Sequence, residues 1–354
     1  MDILTQKKML GKHELKNPVT GAAINLRMYA RCDGMVADTH RKMYEEYGNS
    51  GMGMVVTDAM NVNPECQSFR TTLGCWSDEQ IPGLSELAGL IQKNGTKAIV
   101  QIAHRGAHCF GGKKLSDAPL LRLLNVQQDF IDAAVRIQKA GFDGVEVHCV
   151  HVFLLSQILS PITNDITWKY NGSVEKRAQY VVEIIKGIRE KCGDDFIIGC
   201  RLGCNEPDIQ TSIKLAKMFE EAGVEYISVS SGVDERIEQG NMDDTFDLGI
   251  EVPEGWPYTK RVLGAWQIKQ NVNIPVIAAD GIATGEIARD ILEKGYADFV
   301  AVGRARMADP NWYNKIANGE EPVKCFHCPV CFWLFDETRC PARRKLAKMA
   351  EESK

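Results

Sequence analysis

One local pattern recurs along this 354-residue chain. An amphipathic segment ends at a glycine, an acidic residue follows nearby, and a short apolar run then begins. The three copies read AGFDGVEV (140–147), AGVEYISV (222–229) and KGYADFVAV (294–302). Glycine commonly ends an α-helix, and a short run rich in Val, Ile and Ala is typical of a parallel strand covered on both faces. The pattern therefore predicts consecutive helix–strand units of a parallel α/β sheet.

Further apolar runs and amphipathic segments extend this alternation over most of the chain. The predicted strands are residues 22–26, 54–57, 98–102, 144–148, 197–201, 226–230, 276–279 and 299–303. The predicted helices include residues 126–140, 174–191, 212–222 and 285–294. Eight such units over about 300 residues are typical of a (β/α)8 TIM barrel, an α/β fold. A doubly wound open sheet would normally carry a G-x-G-x-x-G turn after its first strand, and the sequence has none.

Composition limits the classes of function. Apolar residues make up 44% and charged residues 25% of the chain, as in an ordinary globular protein, and the net charge of −5 gives no general reason to bind nucleic acid or an anionic membrane. No apolar run approaches the 18 or so residues of a membrane helix, and the first residues lack the apolar core of a signal peptide. We therefore expect a cytoplasmic protein, with a barrel domain over residues 1–320 and a short C-terminal Cys-rich extension over residues 321–354 packed on it.

Polar residues follow most of the predicted strands, where a TIM barrel carries its active site. They are Gln101 and His104, then His148 and His151, Arg201, Ser230, Ser231 and Gly232, Asp280 and Gly281, and Gly303 and Arg304. Two histidines three residues apart can both face the barrel mouth, although packing or capping is the commoner role of such a pair in isolation. The glycines after the last two strands lie where barrel enzymes bind phosphate. We expect a phosphate-bearing substrate or cofactor there.

Several long segments resemble the Old Yellow Enzyme family, the NADH:flavin oxidoreductases. They are residues 101–108, 142–185 and 275–312 and, more weakly, residues 15–40. The nearest resemblance is to the barrel domain of the 2,4-dienoyl-CoA reductase and enoate reductase branch. The resemblance implies a barrel with FMN at its mouth, reduced by NAD(P)H. It also implies hydride transfer from the flavin to the C=C bond of a small α,β-unsaturated carbonyl or carboxylate compound.

Matching of motifs assigns expected roles to individual residues. The residues expected to bind FMN are Asn25, Ala59, Gln101, Arg201, Ser231, Gly232, Asp280, Gly281, Gly303 and Arg304. Among them, Gln101 would bond the pyrimidine edge of the flavin and Arg201 would lie by N1 and O2. His148 and His151 match the paired donors that grip the substrate oxygen, and Tyr29 matches a tyrosine lining the substrate site. Phe153 stands where many members have a tyrosine proton donor, so Tyr29, another group or water would supply that proton.

Four of the twelve cysteines lie close together near the end of the chain. Cys325, Cys328, Cys331 and Cys340 form a C-x2-C-x2-C-x8-C pattern. Such spacing favours an iron–sulfur site, and the resemblance implies a [4Fe–4S] cluster after the barrel. Zinc bound by four thiolates, with His327 as a substitute ligand, and free thiols remain alternatives. Electrons would then come from NAD(P)H or from an electron-donor protein.

Two other functions are alternatives, and the residues at the strand ends argue against the first of them. A lyase or aldolase without flavin would need a Schiff-base lysine or a metal-binding set of carboxylates at the strand ends, and neither is present there. A flavin and iron–sulfur electron-transfer subunit that works with a partner protein is the stronger alternative. The sequence leaves open whether the chain forms a homo-oligomer.

Overall fold

The computed structural model describes residues 2–24, 33–66, 72–112, 114–233, 250–334 and 336–352. A short antiparallel hairpin comes first, formed by β1 (Lys8–Leu10) and β2 (His13–Leu15). The strands that follow are β3 (Val19–Gly21), β4 (Met54–Asn61), β5 (Lys97–Ala103), β6 (Gly144–Cys149), β7 (Ile197–Gly203), β8 (Tyr226–Ser230), β9 (Val276–Ala279) and β10 (Phe299–Val302). These eight strands pair in parallel in chain order, and β10 closes on β3. The predicted TIM barrel is confirmed.

Helices surround this barrel and connect its strands. They are α1 (Asp38–Asn49), α2 (Ile81–Gln92), α3 (Leu120–Lys139), α4 (Leu154–Leu159), α5 (Val174–Cys192), α6 (Ile209–Ala222), α7 (Lys260–Lys269), α8 (Gly285–Glu293), α9 (Arg304–Ala308), α10 (Trp312–Ala317) and α11 (Pro341–Glu352). α6 begins before the predicted residue 212 because the Asp208 carboxylate caps it, accepting from the Thr211 amide at 2.8 Å. None of the helices in the described ranges is both long enough and apolar enough to cross a lipid bilayer.

The first barrel strand is not where the sequence suggested. The prediction placed it at residues 22–26, whereas the structure has Val19–Gly21, with Val19 paired to Val300 of β10. Residues 25 and 26 lie outside the described ranges. Apolarity favoured the later segment, but the register is set by hydrogen bonds to the neighbouring strands and by close packing at Gly21, where a Cβ would lie 2.8 Å from Arg306 Nη1. Residues 22–24 instead line a cavity at the barrel mouth.

The amino-terminal end of the barrel is filled with apolar side chains. Leu10 and Leu15 of the hairpin belong to one buried cluster with the first residues of several strands, including Ile197, Tyr226 and Phe299. A TIM barrel is a packed core rather than a pore, and here the hairpin closes its lower end. Among the described residues this end of the barrel is closed, so we expect a ligand to enter from the carboxyl ends of the strands.

Residues of the predicted extension make apolar and ionic contacts with the barrel. Trp333 is 1% exposed and belongs to the main core cluster. Ala342 of α11 packs with Ala308 and Val323, and Arg343 Nη2 lies 2.9 Å from Glu46 Oε2 on α1. Arg343 Nε also donates to the Met307 carbonyl at 2.6 Å. These contacts attach the end of the chain to the side of the barrel formed by α1 and α9.

Candidate active site

A cavity of about 320 Å³ opens at the carboxyl ends of the barrel strands. This volume lies at the lower end of the range for small-ligand pockets. Six of the residues predicted to bind FMN or the substrate line the cavity, namely His151, Arg201, Asp280, Gly281, Gly303 and Arg304. Cys325, His327, Cys331 and Leu334 of the extension contribute another wall. The last two βα turns, the second histidine and the C-terminal extension therefore meet around one space.

Other predicted residues lie on β4, β5, β6 and after β8 and do not line this cavity. Ala59 is the register partner of Gln101, and His148 is the register partner of Arg201. Ser231 Oγ accepts from Arg261 Nε at 2.6 Å, whereas the amide of Gly232 already donates to Asn205 Oδ1 at 2.7 Å. Asn25 and Tyr29 lie outside the described residues, so their predicted roles stay predictions.

The cavity end at the last two strands is built to hold an anion. Asp280 and Gly281 both have left-handed backbones, with φ of 81° and 73°, which a glycine adopts without steric cost. Arg261 Nη1 pairs with Asp280 Oδ2 at 2.9 Å, so this carboxylate is compensated. Arg201 and Arg304 add two more guanidinium groups to the lining. The resulting excess of positive charge beside a glycine turn suits a phosphate group, which is the part of FMN predicted to bind here.

Arg261 is a site residue that the sequence analysis missed. It lies in the first turn of α7, where the helix dipole disfavours a positive side chain. Its guanidinium instead bonds Ser231 and Asp280 across the top of the barrel. A basic pair at the start of a helix, where acidic residues are usual, was the available signal.

His148 and His151 stand side by side, with ring centroids 5.4 Å apart. His151 Nε2 lies 2.8 Å from Ser230 Oγ, and that oxygen also accepts from Arg201 Nη2 at 3.4 Å. His148 is 3% exposed, and neither of its ring nitrogens has a hydrogen-bond partner among the described residues. His148 does not line the cavity itself but lies beside His151, which does. Unpartnered buried nitrogens in such a place are costly unless a ligand satisfies them. The histidine pair is therefore suited to bind a ligand oxygen.

The backbone that carries these histidines is strained. His151 and Val152 both have left-handed conformations, with φ of 55° and 61°. For a β-branched residue such as Val152 this costs roughly 1–2 kcal/mol. A hydrogen bond holds the segment: the side-chain amide of Gln157 donates to the Val152 carbonyl at 2.8 Å. This backbone conformation occurs where the His151 side chain lines the cavity.

Phe153 packs against the histidine pair. Its ring meets His148 edge-on, with centroids 4.5 Å apart, and the Arg105 guanidinium lies 5.6 Å from its centroid. A phenyl ring carries no proton to donate. Phe153 thus supports His148 by packing and supplies no acid at the place where the family resemblance would put a tyrosine.

Burial keeps both histidines neutral at physiological pH. Burial lowers the pKa of His151 to about 3, with help from the positive charges of Arg201 and Arg261. Burial also lowers the pKa of His148 well below its usual range, and the neighbouring His151 and Arg201 add to this. A neutral imidazole has one N–H donor and one acceptor. The pair can thus donate hydrogen bonds to a ligand without carrying charge.

The depressed pKa of His151 predicts a pH-dependent stability difference between the wild type and His151→Asn. Below about pH 6.5 the unfolded chain binds a proton that the folded chain cannot bind, so wild-type stability falls as pH falls. Asparagine tolerates the left-handed backbone and does not titrate. Relative to this variant, the wild type should lose about 2 kcal/mol between pH 7.5 and pH 5. Urea unfolding of the cofactor-free proteins at both pH values measures this; an equal difference at both would show that His151 titrates normally.

The four cysteines of the extension are free thiols, each partly buried. Burial raises the pKa of Cys331, and its neighbours Cys340 and Cys325 raise it further. Within the described residues, however, no three Cys, His, Asp or Glu side chains come together in an arrangement that could hold a metal ion. The predicted metal site at Cys325, Cys328, Cys331 and Cys340 therefore stays a prediction.

Comparison with known proteins defines the class to which this fold and site belong. The model of the NADH:flavin oxidoreductase / NADH oxidase family matches residues 8–120 and 121–322. The chain belongs to this family. The predicted family is confirmed, and its description agrees with the predicted flavin oxidoreductase class and with FMN and NAD(P)H as cofactor and reductant. The assignment to one branch stays a prediction.

Individual relatives share most of this chain. It is 33% identical over 325 residues to an NADH oxidase of Thermoanaerobacter brockii. This alignment covers 84% of this chain and 48% of that protein. A metal reductase of Desulforamulus reducens is 30% identical, with 93% of this chain and 51% of that protein covered. The chain thus spans about half the length of these curated relatives. A solved complex of 2-naphthoyl-CoA reductase with 2-naphthoyl-CoA has the same fold, with a TM-score of 0.79 at 24% identity over 95% of this chain and 56% of that one.

Proposed function

We propose that the chain is an FMN-dependent ene-reductase that reduces the C=C bond of a small α,β-unsaturated carbonyl or carboxylate compound with electrons from NAD(P)H. The observation that carries this proposal is a pair of neutral histidines beside Arg201, the buried His148 and the partly buried His151, which lines the cavity. Neutral imidazoles can donate hydrogen bonds to a conjugated carbonyl or carboxylate oxygen, and the Arg201 guanidinium beside them favours a carboxylate as well.

The residues at the cavity fit FMN. The glycine turn at Gly281 and the guanidinium groups of Arg261 and Arg304 would hold the phosphate. Arg201 and the amide of Gln101 would bind the pyrimidine edge of the ring, and Ala59, the register partner of Gln101, leaves room against the ring. When bound, FMN supplies the hydride for the substrate and accepts electrons from NAD(P)H.

The histidines would act on the substrate oxygen. As a hydride reaches the β-carbon of an enone, negative charge grows on the conjugated oxygen. N–H groups of His148 and His151 placed at that oxygen stabilise this charge more in the transition state than in the ground state. A proton must then reach the α-carbon to complete the two-electron reduction. Phe153 cannot provide it, so we propose Tyr29, another group or water as its source.

A second candidate function is an electron-transfer subunit. It is favoured by one observation, that Cys325, His327 and Cys331 line the same cavity as the proposed phosphate site. A [4Fe–4S] cluster or zinc at the four cysteines is part of this alternative. The described side chains do not form a group that could hold a metal ion at these cysteines. A partner protein would in that case deliver or accept the electrons.

Protein purified without oxygen should be yellow and should release FMN on acid denaturation. Addition of NADH or NADPH should bleach the flavin absorption, and 2-cyclohexen-1-one should restore it with one equivalent of the saturated ketone formed. Cyclohexanone, which lacks the C=C bond, is the matched control and should not restore the colour. Iron and zinc are counted on the same sample to test the cysteine site.

Each outcome of this experiment separates the candidates. Bleaching followed by recovery with the enone alone supports the ene-reductase. Bleaching that is reversed by a protein or metal-complex acceptor, but by no enone, supports the electron-transfer subunit. A protein that binds no FMN even after reconstitution would refute both.

A further inference from the structure

A carboxylate without an assigned role lies inside the barrel below the cavity. Glu146 is in the middle of β6, where every residue is buried, and it is 1% exposed. Gly199 and Tyr226 are its successive neighbours in the sheet register. Because Gly199 has no side chain, Tyr226 reaches across it, and a Cβ there would meet the Tyr226 ring at 2.0 Å. Tyr226, which is fully buried, therefore packs over Gly199 beside Glu146.

Glu146 fixes the direction in which the amide of Gln101 points. The two are register partners on β5 and β6, and Gln101 Nε2 donates to Glu146 Oε1 at 2.7 Å. In the structure the amide nitrogen of Gln101 therefore faces Glu146, the orientation that a carboxylate acceptor favours. The carbonyl oxygen of Gln101 is then the atom left to accept a hydrogen bond. The ring N–H of a flavin pyrimidine edge is a donor of this kind.

Glu146 also affects the net charge beside Arg201. The two side chains line one small cavity inside the barrel. Burial raises the pKa of Glu146, while the positive charge of Arg201 and the hydrogen bond from Gln101 oppose that rise. Glu146 Oε2 has no hydrogen-bond partner among the described residues, so its interaction with Arg201 is electrostatic. An anion in this position offsets part of the charge that Arg201 presents at the mouth.

We propose that Glu146 is a positioning residue that lowers the reduction potential of the bound flavin. It does so by holding Gln101 as an acceptor and by offsetting the charge of Arg201. The inference rests on the proposed FMN site. A reduced flavin carries negative charge at its pyrimidine edge, and a buried carboxylate behind that edge disfavours it in a medium of low dielectric constant. The reduced flavin is thereby a stronger hydride donor.

Glu146→Gln removes the charge and keeps an oxygen that can accept from Gln101. We expect the ratio of the affinities for reduced and oxidised FMN to rise about tenfold, a shift of about 30 mV to more positive potential for a two-electron couple. The potential is measured by reductive titration against a reference dye, and the FMN dissociation constants by fluorescence. Glu146→Asp keeps the charge but withdraws it by one methylene from Gln101 and Arg201, so its affinity ratio should rise by less than that of Glu146→Gln.

Glu225→Gln is the matched control. Glu225 is also a largely buried carboxylate, and its Oε2 lies 3.2 Å from Arg189 Nη2, but it stands before β8 at the opposite end of the barrel. Its affinity ratio should remain within twofold of the wild type.

Defined results would overturn the inference. A wild-type ratio in FMN-loaded Glu146→Gln, or an equal rise in Glu225→Gln, would show that Glu146 does not act on the flavin. If Glu146→Gln fails to fold, Glu146→Asp decides, since a rise in the ratio supports the inference and a ratio equal to that of the wild type contradicts it. A wild-type protein that binds no FMN would instead refute the proposed function together with this inference.

Discussion

His148→Leu is expected to slow reoxidation of the reduced flavin by an enone about 10²–10³-fold, the usual effect of removing one preorganised donor to a developing oxyanion. FMN should stay bound, because the residues proposed to hold it lie elsewhere. Folding should survive as well, since neither ring nitrogen of His148 has a hydrogen-bond partner among the described residues that the substitution would leave unpaired. Stopped-flow absorption of the anaerobically reduced protein, mixed with 2-cyclohexen-1-one, measures the rate.

Two controls separate loss of the donor from loss of packing. A one-electron acceptor such as ferricyanide needs no hydrogen bond from His148, so its rate should be the same in the variant and the wild type. Phe153→Leu keeps both histidines and removes only the aromatic edge against His148. If Phe153→Leu slowed the enone reaction as much as His148→Leu does, packing rather than hydrogen bonding would explain the effect.

Trp333→Ala is expected to destabilise the protein by about 3–5 kcal/mol, the usual cost of emptying a large buried aromatic site. Trp333 is 1% exposed in the main core, whereas the adjacent Phe332 is 38% exposed. Phe332→Ala is therefore the matched control and should cost less than about 1 kcal/mol. Unfolding in urea measures both variants. A Trp333→Ala protein as stable as Phe332→Ala would show that the extension contributes little to the core.

Thiol labelling gives a second readout of the same variant. In the wild type the four cysteines of the extension are partly buried. If Trp333 holds the extension on the barrel, its removal should increase the rate at which a thiol reagent labels them, while the buried Cys149 and Cys200 stay protected. Labelling that is unchanged at all sites would mean that the ionic contacts of Arg343 hold the extension without Trp333.

The barrel could be predicted from the sequence because most of its strands are short runs of apolar residues. Runs such as residues 144–148 and 226–230 are short, apolar and preceded by a glycine stop, and both are strands in the structure. The first barrel strand has only three residues, Val19–Gly21, and includes a threonine and a glycine. Such a segment has too little periodicity to stand out from its neighbours. The β1–β2 hairpin escaped notice for the same reason.

The site was predictable where residues follow strand ends and much less so elsewhere. His151, Arg201 and Gly281 could be placed at the mouth because barrel topology brings strand ends together. Arg261 comes from a helix, and its approach to Asp280 depends on tertiary packing that no local pattern encodes. In the sequence Glu146 is only a polar residue among the apolar residues of a predicted strand. Only the register with Gln101 shows what its carboxylate contacts.

The cavity wall joins parts of the chain that are separate in sequence, the turns after β9 and β10 and the segment from Cys325 to Leu334. A ligand that touches both acts as a reversible cross-link between them. If the extension detaches from the barrel, the opening of the cavity becomes wider. A ligand that binds only the form with the extension attached shifts the equilibrium towards that form, so a bound ligand opposes detachment. Escape of the ligand and opening of the wall become coupled events, so the residence time of the ligand depends on how often the protein itself opens.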